Sequence, residues 1–247
     1  MRHLDLFSGI GGFALAARWV GMQTVGFCEI KDYPRLVLAK NFPGIPIHND
    51  IRTLEGDEFG TIDIISGGFP CQDISIAGTR VGFKGVRSSL YREMLRIVGE
   101  CRPQYAVFEN VANLLNGEQG RWFAQFLYDL ASIGYDAEWH SIPASCLGAN
   151  HHRQRIWVIA YPTGDREQKS IFTGISKKLF RKGKFRRKTR GPAPRTHWET
   201  PQPRICEMDD GLPGWVGSVS GYGNAIVPQV AYEIFKVIMK RARDKFE

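Results

Sequence analysis

Two short segments carry side chains that could perform covalent chemistry. Cys71 lies in the segment G-G-F-P-C-Q-D-I-S at 67–75, directly after a predicted strand. Because a cysteine beside a proline in a glycine-bounded turn is exposed and rigidly held, it suits a nucleophile better than a core side chain. Glu109 lies in F-E-N-V, at the end of the next predicted strand. A thiol and a carboxyl group on one rim of a sheet, above a nucleotide site, indicate covalent catalysis.

A glycine-rich segment near the start of the chain could hold the nucleotide. The segment D-L-F-S-G-I-G-G-F, at 5–13, follows a predicted strand and opens a predicted helix. Glycines there let the backbone approach a ligand closely, and a helix N-terminus offers free N–H groups. Glu29 ends the second predicted strand, 20 residues after Gly9, where a carboxylate can accept hydrogen bonds from both hydroxyls of a ribose. Asp50, where a further strand would end, lies within reach of an adenine amino group.

Taken by itself, the glycine-rich segment leaves two classes of enzyme open. Many nucleotide-binding folds share such a turn, so a dinucleotide-dependent oxidoreductase would also contain it. Cys71 and Glu109, taken together with the segment, argue against that alternative. The combination favours covalent group transfer.

These residues need an α/β framework, and the sequence predicts one over residues 1–161. Short apolar strand candidates lie at 3–7, 24–30, 61–67 and 105–111. Candidate helices lie between them, near 12–20, 32–41, 88–101 and 120–133. Strands that alternate with helices predict a mostly parallel, Rossmann-like sheet with helices on both faces. Two more strands, near 137–142 and 155–161, predict an antiparallel hairpin at the edge of the sheet.

The chain changes character around residue 162. Residues 162–213 are rich in Pro, Gly, Lys and Arg with little hydrophobic periodicity, which predicts a small, partly irregular second region. Residues 214–247 contain apolar side chains at helical spacing, namely Val230, Ile234, Val237 and Ile238. We expect this last segment to pack back onto the first domain as a helix.

The basic charge of the chain is concentrated in one run. Residues 177–190 hold nine of the 33 basic residues and no acid, whereas the rest of the chain carries 24 basic and 25 acidic residues. The net charge of +8 is therefore a local patch, which favours a polyanionic partner. A solvated loop is the alternative that composition leaves open.

The cysteine count and the hydropathy pattern indicate the setting in which the chain works. Five cysteines, an odd number with no C-x-x-C pair, argue against a disulfide framework and against a zinc site. No apolar run approaches the roughly 18 residues of a membrane span, and the first residues do not resemble a secretory signal. The sequence therefore predicts a cytoplasmic protein with no metal and no membrane partner.

Five segments resemble the DNA (cytosine-5)-methyltransferase family, in the family's order and over almost the whole chain. They are D-L-F-S-G-I-G-G-F at 5–13, G-G-F-P-C-Q at 67–72, F-E-N-V at 108–111, R-Q-R-I-W-V-I-A at 153–160 and G-Y-G-N-A-I-V-P at 221–228. Two places depart from the family pattern: D-I-S at 73–75 replaces the usual Pro-Phe-Ser, and N-H-H at 150–152 replaces Pro-Gln. Neither departure changes the predicted nucleophile or acid.

The resemblance implies methyl transfer from S-adenosylmethionine to carbon 5 of a cytosine. The Cys71 thiolate would add to carbon 6 of the ring, and Glu109 would hold N3 and the exocyclic amine. Arg153 and Arg155 would position the cytosine and support Glu109. Loss of the proton from carbon 5 and release of Cys71 would complete the turnover.

The resemblance also implies a cofactor site built from the glycine-rich segment, the following strand ends and the segment G-Y-G-N-A-I-V-P at 221–228, called the late segment below. Its predicted residues are Phe7, Ser8, Gly9, Gly11, Gly12, Glu29, Ile30, Asp50, Ile51, Pro70, Leu90, Asn224 and Ala225. Within this set, Leu90 resembles the family's apolar contact to the cofactor. Asn224 and Ala225 resemble the pair near its methionine end.

The target base must leave the duplex before it can meet Cys71, so the sequence should contain parts that grip DNA. Residues 76–89 suit a mobile lid, because Gly78, Gly82 and Gly85 allow bending. Six basic side chains of this lid and of the run at 177–190 are predicted to meet phosphates, namely Arg80, Lys84, Arg87, Arg186, Arg187 and Lys188.

We therefore predict a monomeric DNA cytosine-5 methyltransferase that acts on a specific duplex sequence. Its expected partner is double-stranded DNA, and the sequence leaves open whether a cognate restriction endonuclease belongs to the same system. Two alternatives stay open: a tRNA cytosine-5 methyltransferase, since one branch of the family modifies tRNA with the same motifs, and a catalytically silent DNA-binding homologue. The basic variable insert favours DNA over tRNA, and the presence of both Cys71 and Glu109 argues against a silent homologue.

Overall fold

The computed structural model describes residues 1–70, 90–149, 151–164, 170–173 and 225–244. Its strands are β1 (Arg2–Leu6), β2 (Gln23–Cys28), β3 (Ile47–His48), β4 (Ile64–Gly67), β5 (Tyr105–Val111), β6 (Tyr135–Pro143) and β7 (Gln154–Pro162). Its α-helices are α1 (Gly12–Trp19), α2 (Asp32–Asn41), α3 (Leu90–Cys101), α4 (Arg121–Ser132) and α5 (Pro228–Asp244). Short 3-10 helices occupy Ala112–Leu115, Gly117–Gly120 and Ala144–Leu147.

The described strands form one sheet in the order β3-β2-β1-β4-β5-β7-β6. The first five strands in this order are parallel, and β7 runs antiparallel to both β5 and β6. The predicted α/β sheet, mostly parallel with an antiparallel hairpin at its edge, is therefore confirmed. The chain leaves β1 toward β2 on one side and later returns to β4 on the other. The carboxyl ends of β1 and β4 thus form a switch point, where open α/β sheets bind ligands.

Helices cover both faces of the sheet, because alternate strand residues point to opposite sides. On one face, Met94 of α3 and Phe126 of α4 share an apolar core with Phe108 of β5. On the other face, Phe13 of α1 and Phe235 of α5 share a second core. Burying a side chain of this size contributes about 1.5–3 kcal/mol, so the two cores hold the sheet rigidly beneath whatever binds at its rim.

Helix α5 packs against α1 on one face of the sheet. The rings of Phe13 and Phe235 lie 6.1 Å apart between centroids, and those of Trp19 and Tyr232 lie 6.0 Å apart. Most of residues 162–224 lie outside the described part of the chain, so the proposed boundaries at 161/162 and 213/214 stay predictions. No helix in the described part is long and apolar enough to cross a membrane.

A buried polar chain links β1 to the strands on either side of it. His3 Nε2 lies 2.7 Å from the hydroxyl oxygen of Ser66 on β4, and that hydroxyl donates to Asp5 Oδ1 at 2.9 Å. His3 Nδ1 lies 3.0 Å from the hydroxyl oxygen of Thr24 on β2. Burial lowers the pKa of His3 to about 3 and raises the pKa of Asp5 well above its ordinary value. These hydrogen-bonded side chains therefore join the three central strands directly below the rim.

Candidate active site

The glycine-rich loop between β1 and α1 turns sharply at the centre of the carboxyl rim. Phe7 and Gly9 have φ angles of 51° and 52°. A positive φ is uncommon for a residue other than glycine, so the surroundings must hold Phe7 in place. Ser8, the next residue, fixes this part of the loop through two hydrogen bonds. Its hydroxyl donates to the Asp5 carbonyl oxygen at 2.6 Å and accepts from the Cys28 N–H at 3.2 Å. The loop is thereby fixed to the ends of both β1 and β2.

Two glycines of this loop have distinct spatial roles. A Cβ atom at Gly12 would lie 2.6 Å from Ile226 Cγ1, so glycine is what allows the segment before α5 to approach the start of α1. At Gly9, a Cβ atom would meet no atom of the described residues within 4 Å. The loop is therefore closed on the side of the late segment and open beside Gly9, where a ligand can approach the backbone.

Glu29 lies beside that open space, just after β2. The residue is 8% exposed, and its carboxylate accepts hydrogen bonds from the Gly9 N–H at 2.8 Å and from the Lys31 N–H at 2.9 Å. Each carboxylate oxygen keeps acceptor capacity for another donor, such as a ribose hydroxyl. The neighbouring Ile30 is 59% exposed and offers an apolar surface to a purine ring. The donor and acceptor set therefore fits the nucleoside part of S-adenosylmethionine.

Asp50 and Ile51 follow the short strand β3 at the same rim. Arg52 donates from Nε to Asp50 Oδ1 at 3.0 Å and from Nη2 to Asp50 Oδ2 at 2.5 Å. The hydrogen bond from Arg52 holds the pKa of Asp50 below its ordinary value. Ile51 is buried. Asp50 is thus an ionised acceptor that can take a further donor such as an adenine amino group.

Glu109 is a buried carboxyl group on β5, 7% exposed. Its Oε1 lies 3.1 Å from Nε of Arg155, the second residue of β7. Burial raises the pKa of Glu109 to about 7, while the charges of Arg155 and Arg153 lower it in part. A Cβ atom at Gly68 would lie 3.3 Å from Oε2 of Glu109, so the carboxyl group packs against the chain three residues before Cys71.

Asn110 is a residue that the sequence analysis missed. Its Nδ2 donates to the carbonyl oxygen of Phe69 at 3.0 Å, and its Oδ1 accepts from the Val111 N–H at 2.8 Å. Asn110 is 4% exposed. Asn110 therefore ties β5 to the backbone that leads into the predicted nucleophile turn. The signal available in the sequence was an amide directly after the acid in F-E-N-V.

The two predicted arginines make different contacts. Because β7 is antiparallel to β5, its first residues lie at the same rim as Glu109. Arg155 faces Glu109, whereas Nη2 of Arg153 donates to the carbonyl oxygen of Ala225 at 2.6 Å. Arg153 has a φ of 28°, a strained conformation that its contacts must hold. The pair thus joins the acid on one side to the late segment on the other.

The predicted site residues that the structure describes lie along one rim of the sheet. They are Phe7, Ser8, Gly9, Gly11, Gly12, Glu29, Ile30, Asp50, Ile51, Pro70, Leu90, Glu109, Arg153, Arg155 and Ala225. The others lie outside the described residues: Cys71, Asn224, Arg80, Lys84, Arg87, Arg186, Arg187 and Lys188. The roles of all these residues stay predictions.

Comparison with known proteins gives one consistent family. A model of C-5 cytosine-specific DNA methylases matches residues 1–201. The type II methyltransferase M2.BsuMI of Bacillus subtilis (strain 168) is 34% identical over 164 residues, which cover 65% of this chain and 42% of that protein. The type II methyltransferase M.DsaV of Dactylococcopsis salina is 30% identical over 179 residues, covering 72% and 50%. The chain thus spans half or less of the length of these relatives.

Solved structures show the same architecture. A DNA modification methyltransferase encoded within an E. coli prophage superposes with a TM-score of 0.60 at 25% identity, over 70% of this chain and 50% of that one. DNMT2 of Spodoptera frugiperda, as an E260A/E261A/K263A mutant, gives a TM-score of 0.56 at 22% identity, over 67% and 51%. The second similarity supports the fold alone.

Proposed function

Because this chain belongs to the family of C-5 cytosine-specific DNA methylases, we propose that it methylates carbon 5 of a cytosine in duplex DNA. The observation that carries the proposal is the position of Glu109. This buried carboxyl group is paired with Arg155 at 3.1 Å and packs against Gly68, three residues before a cysteine. An acid in this place can hold a pyrimidine ring while a neighbouring thiolate attacks it.

The proposed reaction starts at carbon 6 of a flipped cytosine. The Cys71 thiolate forms a bond to carbon 6, and the electron pair of the 5,6 double bond moves toward carbon 5 and N3. Glu109, with a pKa of about 7, is protonated in a large share of molecules at neutral pH and can donate to N3. Arg155 then stabilises the carboxylate that remains after proton transfer.

S-adenosylmethionine would supply the methyl group that carbon 5 accepts, and S-adenosylhomocysteine would be the leaving group. Carbon 5 then loses its proton to a base, and the electron pair of that C–H bond restores the 5,6 double bond as Cys71 leaves as a thiolate. The proton on N3 returns to the Glu109 carboxylate. Glu29 would hold the ribose of the cofactor, and Ile30 with Phe7 would border its purine ring. The open space at Gly9 would let the cofactor approach the backbone of the loop.

A labelled-cofactor assay tests this function directly. Full-length chain is incubated with methyl-labelled S-adenosylmethionine and, in separate arms, with mixed-sequence duplex DNA and with tRNA. We expect label in DNA, recovered as 5-methylcytosine after digestion to nucleosides. Label in tRNA alone would support the tRNA enzyme instead. Cofactor and DNA binding without transfer would support the silent homologue.

Replacing Glu29 by Ala is expected to weaken S-adenosylmethionine binding about tenfold to a hundredfold, because charge-assisted hydrogen bonds contribute roughly 1.5–3 kcal/mol. DNA affinity should change much less. Calorimetric titration of the cofactor measures the effect. The matched control is Asp32→Ala, which removes a carboxylate with an 89% exposed side chain on the same side of the molecule. Equal affinities in the wild type and Glu29→Ala would remove Glu29 from the site.

We also propose that residues 162–213 recognise the target sequence and that the basic run at 177–190 contacts DNA phosphates. Replacing Arg186, Arg187 and Lys188 by Ala should weaken binding to all duplexes to a similar extent. Each phosphate contact contributes about −0.9 to the log–log salt slope, so the slope should flatten by up to about three units. Sequence preference should change less, because phosphate contacts set register and base contacts select sequence.

Binding titrations at several salt concentrations measure that slope. The matched control replaces three exposed basic residues of α2 and α5 by Ala, namely Lys40, Lys240 and Arg243, which removes the same charge elsewhere. If both triple variants flatten the slope equally, the effect is one of net charge and the run has no specific contact with DNA.

The same proposal includes the compartment, the oligomeric state and the partners of the chain. We infer that the chain works as a cytoplasmic monomer on double-stranded DNA, alongside a restriction endonuclease with the same target. The names of the two type II methyltransferases that it resembles support the last point. Light scattering of the chain with and without duplex DNA measures the oligomeric state.

A further inference from the structure

The segment before α5 lies between two parts of the candidate site. On one side, the side chain of Ile226 occupies the space beside Gly12, where a Cβ atom would lie 2.6 Å from Cγ1 of Ile226. On the other side, the carbonyl oxygen of Ala225 accepts a hydrogen bond from Nη2 of Arg153 at 2.6 Å. Val227 is buried in the core that α1 and α5 share. Residues 225–227 thus connect the glycine-rich loop to β7.

These contacts complete a continuous path from the cofactor loop to the acid. The path runs from Gly12 through Ile226 and Ala225 to Arg153, and then along the start of β7 to Arg155 and its ion pair with Glu109. Arg153 and Ala225 are 72 residues apart in the chain. Direct contacts therefore join segments that would hold different substrates.

Arg153 brings both a hydrogen-bond donor and a positive charge to this position. A guanidinium group in a partly buried place carries a desolvation cost that must be offset by its contacts. The charge of Arg153 also acts on Glu109, where it favours the ionised carboxylate. One side chain thus both holds the late segment and contributes to the electrostatic field at the acid.

We propose that Arg153 is a positioning residue that couples cofactor binding to the cytosine site, because it holds the late segment against the glycine-rich loop beside Glu109. This inference rests on the proposed function. When the cofactor binds, it would order residues 225–227 and so fix the position of the Arg153 guanidinium. The positive charge beside Glu109 would then be fixed as well. Arg155, by contrast, pairs with Glu109 at 3.1 Å and donates from Nη1 to the carbonyl oxygen of Gln154 at 2.9 Å.

The test compares cofactor affinity in Arg153→Met and in Arg155→Met, which remove the same charge from neighbouring positions. Calorimetry with S-adenosylmethionine is carried out on the full chain, with and without duplex DNA. We expect Arg153→Met to weaken cofactor binding about tenfold, which corresponds to about 1.4 kcal/mol, and to reduce the dependence of cofactor affinity on DNA. Arg155→Met should change cofactor affinity less than about twofold, yet lose methyl transfer.

A conservative variant separates positioning from folding. Arg153→Lys keeps a cationic donor and should recover part of the cofactor affinity, and thermal unfolding reports whether each variant is folded. If Arg153→Met does not fold, the lysine variant still carries the test, with an expected affinity below that of the wild type. Wild-type affinity in both folded Arg153 variants, or an equal loss in Arg155→Met, would overturn the inference. A wild-type chain that binds no cofactor would instead overturn the proposed function.

Discussion

Cys71→Ser is expected to lower methyl transfer at least about a hundredfold while S-adenosylmethionine binding survives. A serine hydroxyl has a much higher pKa than a thiol and is a far weaker nucleophile at neutral pH, so addition to carbon 6 should fail. Single-turnover transfer to duplex DNA measures the chemical step, and calorimetry measures cofactor binding. The matched control is Cys146→Ser, the same exchange at an exposed cysteine.

Trapping gives an independent measure of the same step. DNA that contains 5-fluorocytosine blocks the last stage, because fluorine cannot leave carbon 5 as a proton does. A covalent complex should then accumulate, and peptide mass spectrometry should locate the bond at Cys71. A variant that retains more than a few per cent of the wild-type rate, or an active preparation that forms no complex, would contradict the role of Cys71.

Glu109→Gln is expected to lower the rate of methyl transfer by about 10²- to 10⁴-fold, the usual contribution of a positioned general acid. Glutamine keeps a donor to N3 of the cytosine but cannot transfer a proton. In the wild type, the fraction of protonated Glu109 should fall as the pH rises through about 7, whereas the Cys71 thiolate increases with pH. The rate should therefore have a bell-shaped pH profile, and Glu109→Gln should lose its alkaline limb.

Glu109→Gln is also expected to change how the stability of the folded chain depends on pH. The pKa of Glu109 is raised from 4.5 to about 7 because the carboxyl group is buried. A raised pKa means that the folded state binds the proton more tightly than the unfolded chain, so protonation of Glu109 stabilises the folded state. This contribution to the free energy of unfolding is complete below pH 4.5 and is lost as the pH rises through about 7. Glutamine does not titrate. The Tm of the Glu109→Gln variant, relative to that of the wild type, should therefore rise between pH 4.5 and about 7. A constant difference in Tm would mean that Glu109 is solvated.

Much of the fold could be predicted because its signals are local. Apolar strands that alternate with amphipathic helices predict a parallel sheet, and the bounds of α1, α2 and β5 agree with the prediction within one residue. The strand predicted at 61–67 begins later, at Ile64, and the two-residue strand β3 is too short to give a periodic pattern. The positions of Glu29 and Glu109 at strand ends were also predictable, because parallel strands bring their carboxyl ends to one rim.

The sequence by itself determined which chemical groups the site contains and the order in which they occur. The glycine-rich loop, the acid after β2, the acid in F-E-N-V and the arginine pair are local features, and their order along the chain agrees with the family that the comparison finds. Each depends on residues within one strand and its following turn. Such features can be predicted from spacing, because a single element imposes them.

The tertiary structure decided which of these groups act on one another. It placed Arg155 against Glu109 but Arg153 on Ala225, and it brought Asn110 to the carbonyl oxygen of Phe69. It also set the pKa of Glu109, because burial depends on every element packed around β5. Contacts between residues 41 or 72 positions apart leave no periodic trace in the sequence. They arise when two helical layers close on a twisted sheet, and the electrostatics of the site exist only after that closure.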